Sequence, residues 1–450
     1  MKDSYDAVVV GAGCSGAVFA AGLAERGFSV LLLDRRRSEE LGQDSFDLVE
    51  TQAFEASGVT PPSPPESRPA IEAMEVVSPD TSTRLSIDSD SFVVVDRRAL
   101  AARLLRRATD AGAEFRGQVI VTGAEIERGR LVAVSTDRGS YRCTLAVSAS
   151  GLDRVLCRDL PGGMGIPRRL RATDHMSLYS ETREVSGEGG TGAPRSGLFE
   201  YHVGRFGGYS WAHRSGDGLF DLGTAVQDIT GSPDPREIAL GYVRSNTAVG
   251  EKVIGRAGGR IPTRRPLNTM VANGLMVVGD AACQAMPIIG RGVGGALLGG
   301  RLAADAAAAA LRAGDVGSAA LWPYNVEYMR TRGTHLAALD CLRLLMQMMP
   351  EKEFSWSMAR GIIDEQDVAG AMAGRVELPG IQFKLKKTLK GLRGMPLLVR
   401  YESMMRQIQK VLELYGQYPK GYEAPDFAEW SQQAEFLFED VERVARGVRE

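Results

Sequence analysis

Six residues near the start of this 450-residue chain, Gly11-Ala12-Gly13-Cys14-Ser15-Gly16, have the types and spacing of a phosphate-binding turn. Gly11 permits a tight turn, Gly13 lets a pyrophosphate approach bare backbone, and Gly16 lets the next helix pack close to the preceding strand. The helix start that holds Cys14 and Ser15 offers free N–H groups and the positive end of a dipole. Asp34 stands 18 residues beyond Gly16. A carboxylate there accepts hydrogen bonds from a ribose diol and repels a 2′-phosphate. Arg35, Arg36 and Arg37 follow it, with Arg35 the one assigned to an adenine. Such a turn alone occurs in many proteins. Strand, helix and acid in register make it a dinucleotide site.

A second glycine-rich run, Gly274–Gly300, reads GLMVVGDAACQAMPIIGRGVGGALLGG. A strand should end at Gly279-Asp280, and a loop through Pro287 should reach Gly290-Arg291-Gly292-Val293 at the start of a long helix. A nicotinamide-only site has no use for this second cluster. A helix N-terminus aimed at a ligand stabilises negative charge. Asp96-Arg97 closes another strand ahead of an amphipathic helix over 98–112. Tyr209, Trp211 and His213 alternate on one predicted strand, so all three share a face. The aromatic pair either lines a cavity or packs a sheet. His213 is either a general acid that works near neutral pH or a surface or hydrogen-bonded histidine.

The elements that must position these residues are also legible. YDAVVV over 5–10 and FSVLLL over 28–33 read as buried parallel strands around a helix. A proline-rich stretch over 60–69 marks a crossing between layers. Strand patterns cover 117–150, and strands with glycine-rich turns run from about 170 to 260, as in an antiparallel sheet. The stretch 186–197 reads as a flexible loop. Beyond about 320 the pattern is helical. There Met346, Met348 and Met349, with Met404 and Met405, are either core packing or a plastic wall for a long apolar ligand. A basic amphipathic segment, 384–393, is either a solvated face or a peripheral contact with anionic lipid.

Composition excludes several classes. Apolar residues at 44% and charged residues at 24% are globular values, which exclude a disordered or fibrous chain. The 54 basic and 56 acidic residues give a net charge of −2, against the basic excess of a nucleic-acid binder. Five scattered cysteines without a CxxC pair predict neither a disulfide framework nor a zinc site. A reducing, cytoplasmic setting is expected, since the start shows no leader pattern. The Ala-rich run over 302–311 is broken by Asp305 and reads as a buried helix, not a membrane span.

The two glycine clusters and the Asp-Arg pair resemble the p-hydroxybenzoate hydroxylase-like FAD superfamily. That resemblance implies that Gly279 and Asp280 face the ribityl and pyrophosphate. It also implies that the loop from Pro287 through Gly290 to Gly292 and Val293 faces the flavin ring edge, and that Arg97 reaches the cofactor. Within the superfamily, Gly207-Gly-Tyr-Ser-Trp211 and GDGLFDLGTAVQ after it resemble the geranylgeranyl reductases, which reduce isoprenoid C=C bonds. Gly258–Pro266 (GGRIPTRRP) and LELYGQYPKG over 412–421 resemble them as well. The chain departs from that family at three places. His213-Arg214 replaces a Phe-Pro pair, Ser45 stands where a cysteine is usual, and Arg291 replaces a small residue. Arg291 either adds positive charge near the flavin or faces solvent.

The expected fold is therefore α/β. A Rossmann-type FAD-binding domain (1–65, 97–165, 262–325) carries an antiparallel substrate domain (66–96, 166–261) and a C-terminal helical region (326–450). The expected activity is FAD-dependent reduction of C=C bonds in an apolar isoprenoid or polyene. Ser45, Tyr209, Trp211 and His213 are its candidate catalytic residues. A monooxygenase of secondary metabolism, a non-redox cyclase with structural FAD and a flavin-binding interaction protein are the alternatives. With no second nucleotide motif in the chain, the electron donor is an external nicotinamide or a reductase protein.

Overall fold

The computed structural model describes residues 4–158, 160–162, 164–187, 193–376 and 395–447. The basic segment 384–393 and residues 188–192 of the stretch 186–197 lie outside the described residues.

The chain opens with β1 (Ser4–Val10), turns through the first glycine cluster into α1 (Cys14–Ala24) and returns as β2 (Val30–Leu33). Both strands are apolar on both faces, as a covered parallel sheet requires. Next come β3 (Phe46–Glu50), α2 (Thr51–Ala56), β4 (Ala73–Val77), β5 (Arg84–Ile87), β6 (Phe92–Asp96) and α3 (Arg97–Asp110). Asp96 caps α3 by accepting from the Arg98 and Ala99 amides. Four strands follow: β7 (Glu114–Arg116), β8 (Val121–Glu127), β9 (Arg130–Thr136) and β10 (Gly139–Ser148). Then come β11 (His175–Val185), β12 (Leu198–Val203), β13 (Tyr209–Arg214), β14 (Leu219–Gln227), α4 (Pro235–Ser245) and β15 (Val249–Pro262). The chain re-enters the first sheet as β16 (Val271–Ala272) and β17 (Leu275–Val277), then forms α5 (Val293–Arg312).

The first sheet has the order β16-β17-β10-β1-β2-β7, with β8 and β9 attached through β10. Strands β17, β10, β1, β2 and β7 run parallel. The second sheet has the order β15-β11-β14-β13-β12-β4-β5. It is antiparallel except where β4 joins β12 in parallel, a departure from the purely antiparallel expectation. β4 reaches that edge from much earlier in the chain, so no hairpin dictates its direction. A two-stranded ribbon, β3 with β6, stands apart from both sheets.

Strand β17 stops at Val277, short of the expected end at Asp280. Gly279 has φ +65°, and a short 3-10 turn runs from it to Ala282. After β17 the described residues hold helices and turns. The last helices are Thr334–Met348, Glu351–Ala359, Glu365–Met372, Met395–Gly416 and Ala424–Ala445. They are tied to the rest by Arg265, which lies 3.4 Å from Asp340, 3.1 Å from Glu435 and 3.6 Å above the Phe438 ring. Removing one partner of so buried a set strands a charge, at about 3–5 kcal/mol.

Candidate active site

Backbone builds the first half of the site. Gly11 has φ +107°, and a Cβ there would lie 2.3 Å from the Ala149 carbonyl oxygen. A Cβ on Gly16 would lie 1.9 Å from the Gly11 carbonyl oxygen, so α1 sits directly on the turn. At Gly13 nothing lies within 4 Å of such an atom, which leaves the face of the turn open. No side chain caps α1. Asp34 accepts from the Ala12 amide at 2.8 Å and from the Arg36 amide at 2.9 Å. It braces the turn while standing at the cleft that Gly11, Gly13 and Arg35 line. Arg35 pairs with Asp153 at 2.7 Å on the surface. The Cys14 thiol is pushed up to about 11 by burial, so it stays protonated.

The second cluster stands against the first. A Cβ on Gly279 would lie 2.5 Å from Ser15 Oγ, and one on Gly300 would lie 2.4 Å from the Ser15 carbonyl oxygen. Pro287 heads a turn, Gly290 has φ +61°, and Gly292 caps α5 without a side-chain partner, so Val293 opens the helix. Asp280 Oδ1 is 3.1 Å from where a Gly292 Cβ would sit. Burial raises the Asp280 carboxyl above its usual range, and Arg97 pulls the other way. Arg97 donates to Gln43 Oε1 at 2.7 Å and lies 3.8 Å from Asp47. Asp47 is likewise raised by burial against the pull of Arg97 and Arg291. The two clusters thus pack against each other, with the starts of α1 and α5 uncapped by any side chain and Arg97 acting on Asp280. A flavin dinucleotide fits that donor set.

A cavity of about 100 Å³ lies between the second cluster and one face of the second sheet. Its walls include Ser45, Arg97, Gly290 and Arg291, with Tyr209, Trp211 and His213 opposite. Cross-strand register sets the sheet wall in rows. In one row Tyr201, Trp211, Gly223 and Ser180 are direct neighbours. The Trp211 indole lies over Gly223, where a Cβ would come within 2.2 Å of the ring. The next row is Phe199, His213, Asp221 and Thr182. The Tyr209 hydroxyl donates to the Ile289 carbonyl and ties the sheet to the glycine loop. Burial raises both Tyr201 and Tyr209 well above the usual tyrosine range.

Two open questions from the sequence are answered here. Tyr209 and Trp211 line a cavity as well as packing the sheet. His213 is 1% exposed and has no hydrogen-bond partner among the described residues, so it is neither a surface residue nor a hydrogen-bonded one. The solvent-facing alternative for Arg291 is incorrect. Arg291 is 6% exposed, donates to the Met372 carbonyl, lies 3.6 Å from Glu50 and covers the Phe92 ring. Desolvation works to raise Glu50, but Arg291 and Arg332 outweigh it and hold the carboxyl below its usual range.

Tyr201 and Ile289 also line a second, apolar cavity of about 100 Å³ that reaches the C-terminal helices. Met346, Met349, Met286, Met358, Met372 and Phe354 wall it. Met346 and Met349 fit the expected plastic wall. Met348 does not, being 39% exposed, and Met404 is buried elsewhere. Sequence reading missed Phe199, Tyr201, Ser180 and Asp221 in the polar chamber. Their one signal was alternation on neighbouring strands.

Residues 9–47 match the family described as NAD(P)-binding Rossmann-like domain. A digeranylgeranylglycerophospholipid reductase of Sulfolobus acidocaldarius is 27% identical over 431 residues, covering 93% of this chain and 95% of that protein. One from Methanococcoides burtonii is 28% identical over 75% of this chain and 82% of its own length. The chain is homologous to digeranylgeranylglycerophospholipid reductases. Among solved structures, a geranylgeranyl bacteriochlorophyll reductase-like protein of Thermoplasma acidophilum superposes with a TM-score of 0.72 at 16% identity, over 91% of this chain and 100% of that one. A flavin-dependent brominase superposes at 0.62 with 17% identity, over 86% and 97%. The homology agrees with the family resemblance read from the sequence, and the fold is that of these solved structures. Among the described residues no helix is long and apolar enough to cross a membrane.

Proposed function

We propose that the chain binds FAD and reduces C=C bonds of an apolar, isoprenoid-like substrate. One observation carries this reading. The chamber beside the second glycine cluster shares Tyr201 and Ile289 with a neighbouring apolar cavity walled by methionines, a lining suited to a hydrocarbon tail. Gly11, Gly13, Cys14, Ser15 and Gly16 hold the pyrophosphate, Asp34 the ribose, and Arg35 the adenine. Gly279, Asp280, Arg97 and the loop from Pro287 through Gly290 to Gly292 and Val293 hold the ribityl chain and ring. Bound there, FAD supplies the hydride that adds to one carbon of the double bond. Tyr209 and Trp211 position the chain and exclude water. The other carbon takes its proton through the exchangeable groups of the wall, Ser45 and His213, or water between them. The tyrosines are poor donors, because burial makes them hold their protons tightly. An external nicotinamide or reductase protein supplies the electrons, and five free cysteines suit a reducing, cytoplasmic setting.

The test is product mass. Dithionite-reduced protein under argon is incubated with geranylgeraniol. A gain of two hydrogens per double bond supports the reading. Oxygen insertion seen only in air identifies a monooxygenase instead, and product isomerised without net reduction identifies a cyclase with structural flavin.

A further inference from the structure

Native proteins leave few buried polar side-chain atoms unsatisfied, and each one needs a cause. His213 has two, Nδ1 and Nε2, and no other histidine among the described residues has both ring nitrogens buried and unpartnered. It stands in the wall of the polar chamber. One face of its ring stacks on Phe199 at a centroid distance of 5.2 Å, so only the ring edge is left for a polar partner. Nδ1 lies 3.7 Å from Asp221 Oδ2, too far for a hydrogen bond but close enough to orient the ring. Asp221 is itself fixed, because its other oxygen accepts from Thr182 Oγ1 at 2.6 Å. Thr182, Asp221, His213 and Phe199 are paired in direct register across four strands, so the backbone ladder sets their spacing.

The chemistry of this arrangement selects its ligand. The carboxylate favours the tautomer with a proton on Nδ1, which leaves Nε2 an acceptor in neutral imidazole and a donor in imidazolium. A hydroxyl satisfies either state, since it both donates and accepts. A phosphate or carboxylate is disfavoured, because it would be brought against Asp221, which is only 8% exposed. Arg97 is on Gln43, and Arg260, with 56% of its side chain exposed, faces Asp228. Arg291 reaches Glu50 and Met372 through Nη2 and covers the Phe92 ring, with its buried Nε and Nη1 unpartnered.

We infer that His213, oriented by Asp221, binds a hydroxyl group of the substrate, so the molecule taken up is a neutral apolar chain bearing an alcohol or phenol. The identity of the ligand as the molecule reduced rests on the proposed reductase activity; the hydroxyl contact does not.

The experiment is a binding titration of oxidised holoprotein, read by tryptophan fluorescence and by calorimetry. The probes are geranylgeraniol, its methyl ether and geranylgeranyl phosphate. The alcohol should bind about tenfold more tightly than either of the others, the size of one hydrogen bond to a buried group. His213→Phe should reduce the alcohol's advantage over the ether to less than about twofold, while binding the ether at least as well. His213→Gln keeps a donor and an acceptor and should retain part of the preference, which serves if the Phe variant does not fold. Equal binding of alcohol and ether, tighter binding of the phosphate, no binding of any probe, or an undiminished preference in both variants would overturn the inference. Turnover without hydroxyl preference overturns it and leaves the reductase reading in place. Hydroxyl-selective binding without reduction does the reverse.

Discussion

The cleft at Gly11–Gly16 and the chamber under β13 are built by opposite means. The cleft is made of backbone. Gly11 and Gly16 sit where any side chain would come within about 2 Å of backbone, and Asp34 is bonded to amides of the same unit. The chamber is made of side chains brought side by side from four strands, with Gly223 leaving room for the Trp211 indole. The cleft is therefore specific for a shape shared by many nucleotides. The chamber is where this chain states its own preference.

The largest expected effect breaks the cleft. Gly16→Val puts a side chain into the Gly11 carbonyl, which no rotamer relieves. It should cost about 3 kcal/mol or more in stability and abolish bound flavin, measured by melting temperature and absorbance. Gly13→Ala sharpens the point, since its methyl meets nothing: the fold should keep its melting temperature while flavin retention falls. Asp34→Ala removes the acceptor of the Ala12 amide and the ribose contact. Flavin affinity should weaken by about 1.5–3 kcal/mol in a dilution series. Gly223→Ala should act on the chamber alone. It displaces Trp211, weakening substrate binding by about 1–3 kcal/mol while flavin content stays full. Loss of flavin in that variant would show that the two regions are not separable.

The smallest effect concerns pH. Glu50 has its carboxyl lowered in the folded protein by Arg291 and Arg332. A lowered folded value gives a stabilising contribution that is full above the unfolded value of about 4.3 and is lost as pH falls through the folded one. Glu50→Gln should flatten the acid limb of the stability curve below pH of about 4. An unchanged acid limb would mean that the Arg291–Glu50–Arg332 group is not intact in solution.

The same contrast explains what could be read from the sequence. The motif residues of the cleft, Gly11 to Gly16 and Asp34, lie close together in sequence, so spacing alone exposed it, although Gly11 also packs against Ala149. The alternation of Tyr209, Trp211 and His213 was equally local and correctly put all three on one face. Their partners were not legible, because Phe199, Ser180 and Asp221 join them only through strand register, which tertiary packing sets. The same holds for Arg291, whose environment comes from Glu50, Phe92 and Met372 in three separate segments. Methionines could be noticed as a stripe at 346–349. Met286 and Met372 join that wall from elsewhere, and Met348 leaves it, because helix phase and packing decide which side faces inward.

The central claim is that electrons held in the cleft-bound flavin reach a double bond held in the chamber. It is tested most directly by reducing the holoprotein without oxygen, mixing it with geranylgeraniol in a stopped-flow cell and following flavin absorbance. Return of the oxidised spectrum under argon, in proportion to alkene added, is the expected result. A reduced flavin that stays reduced until air is admitted would contradict the account.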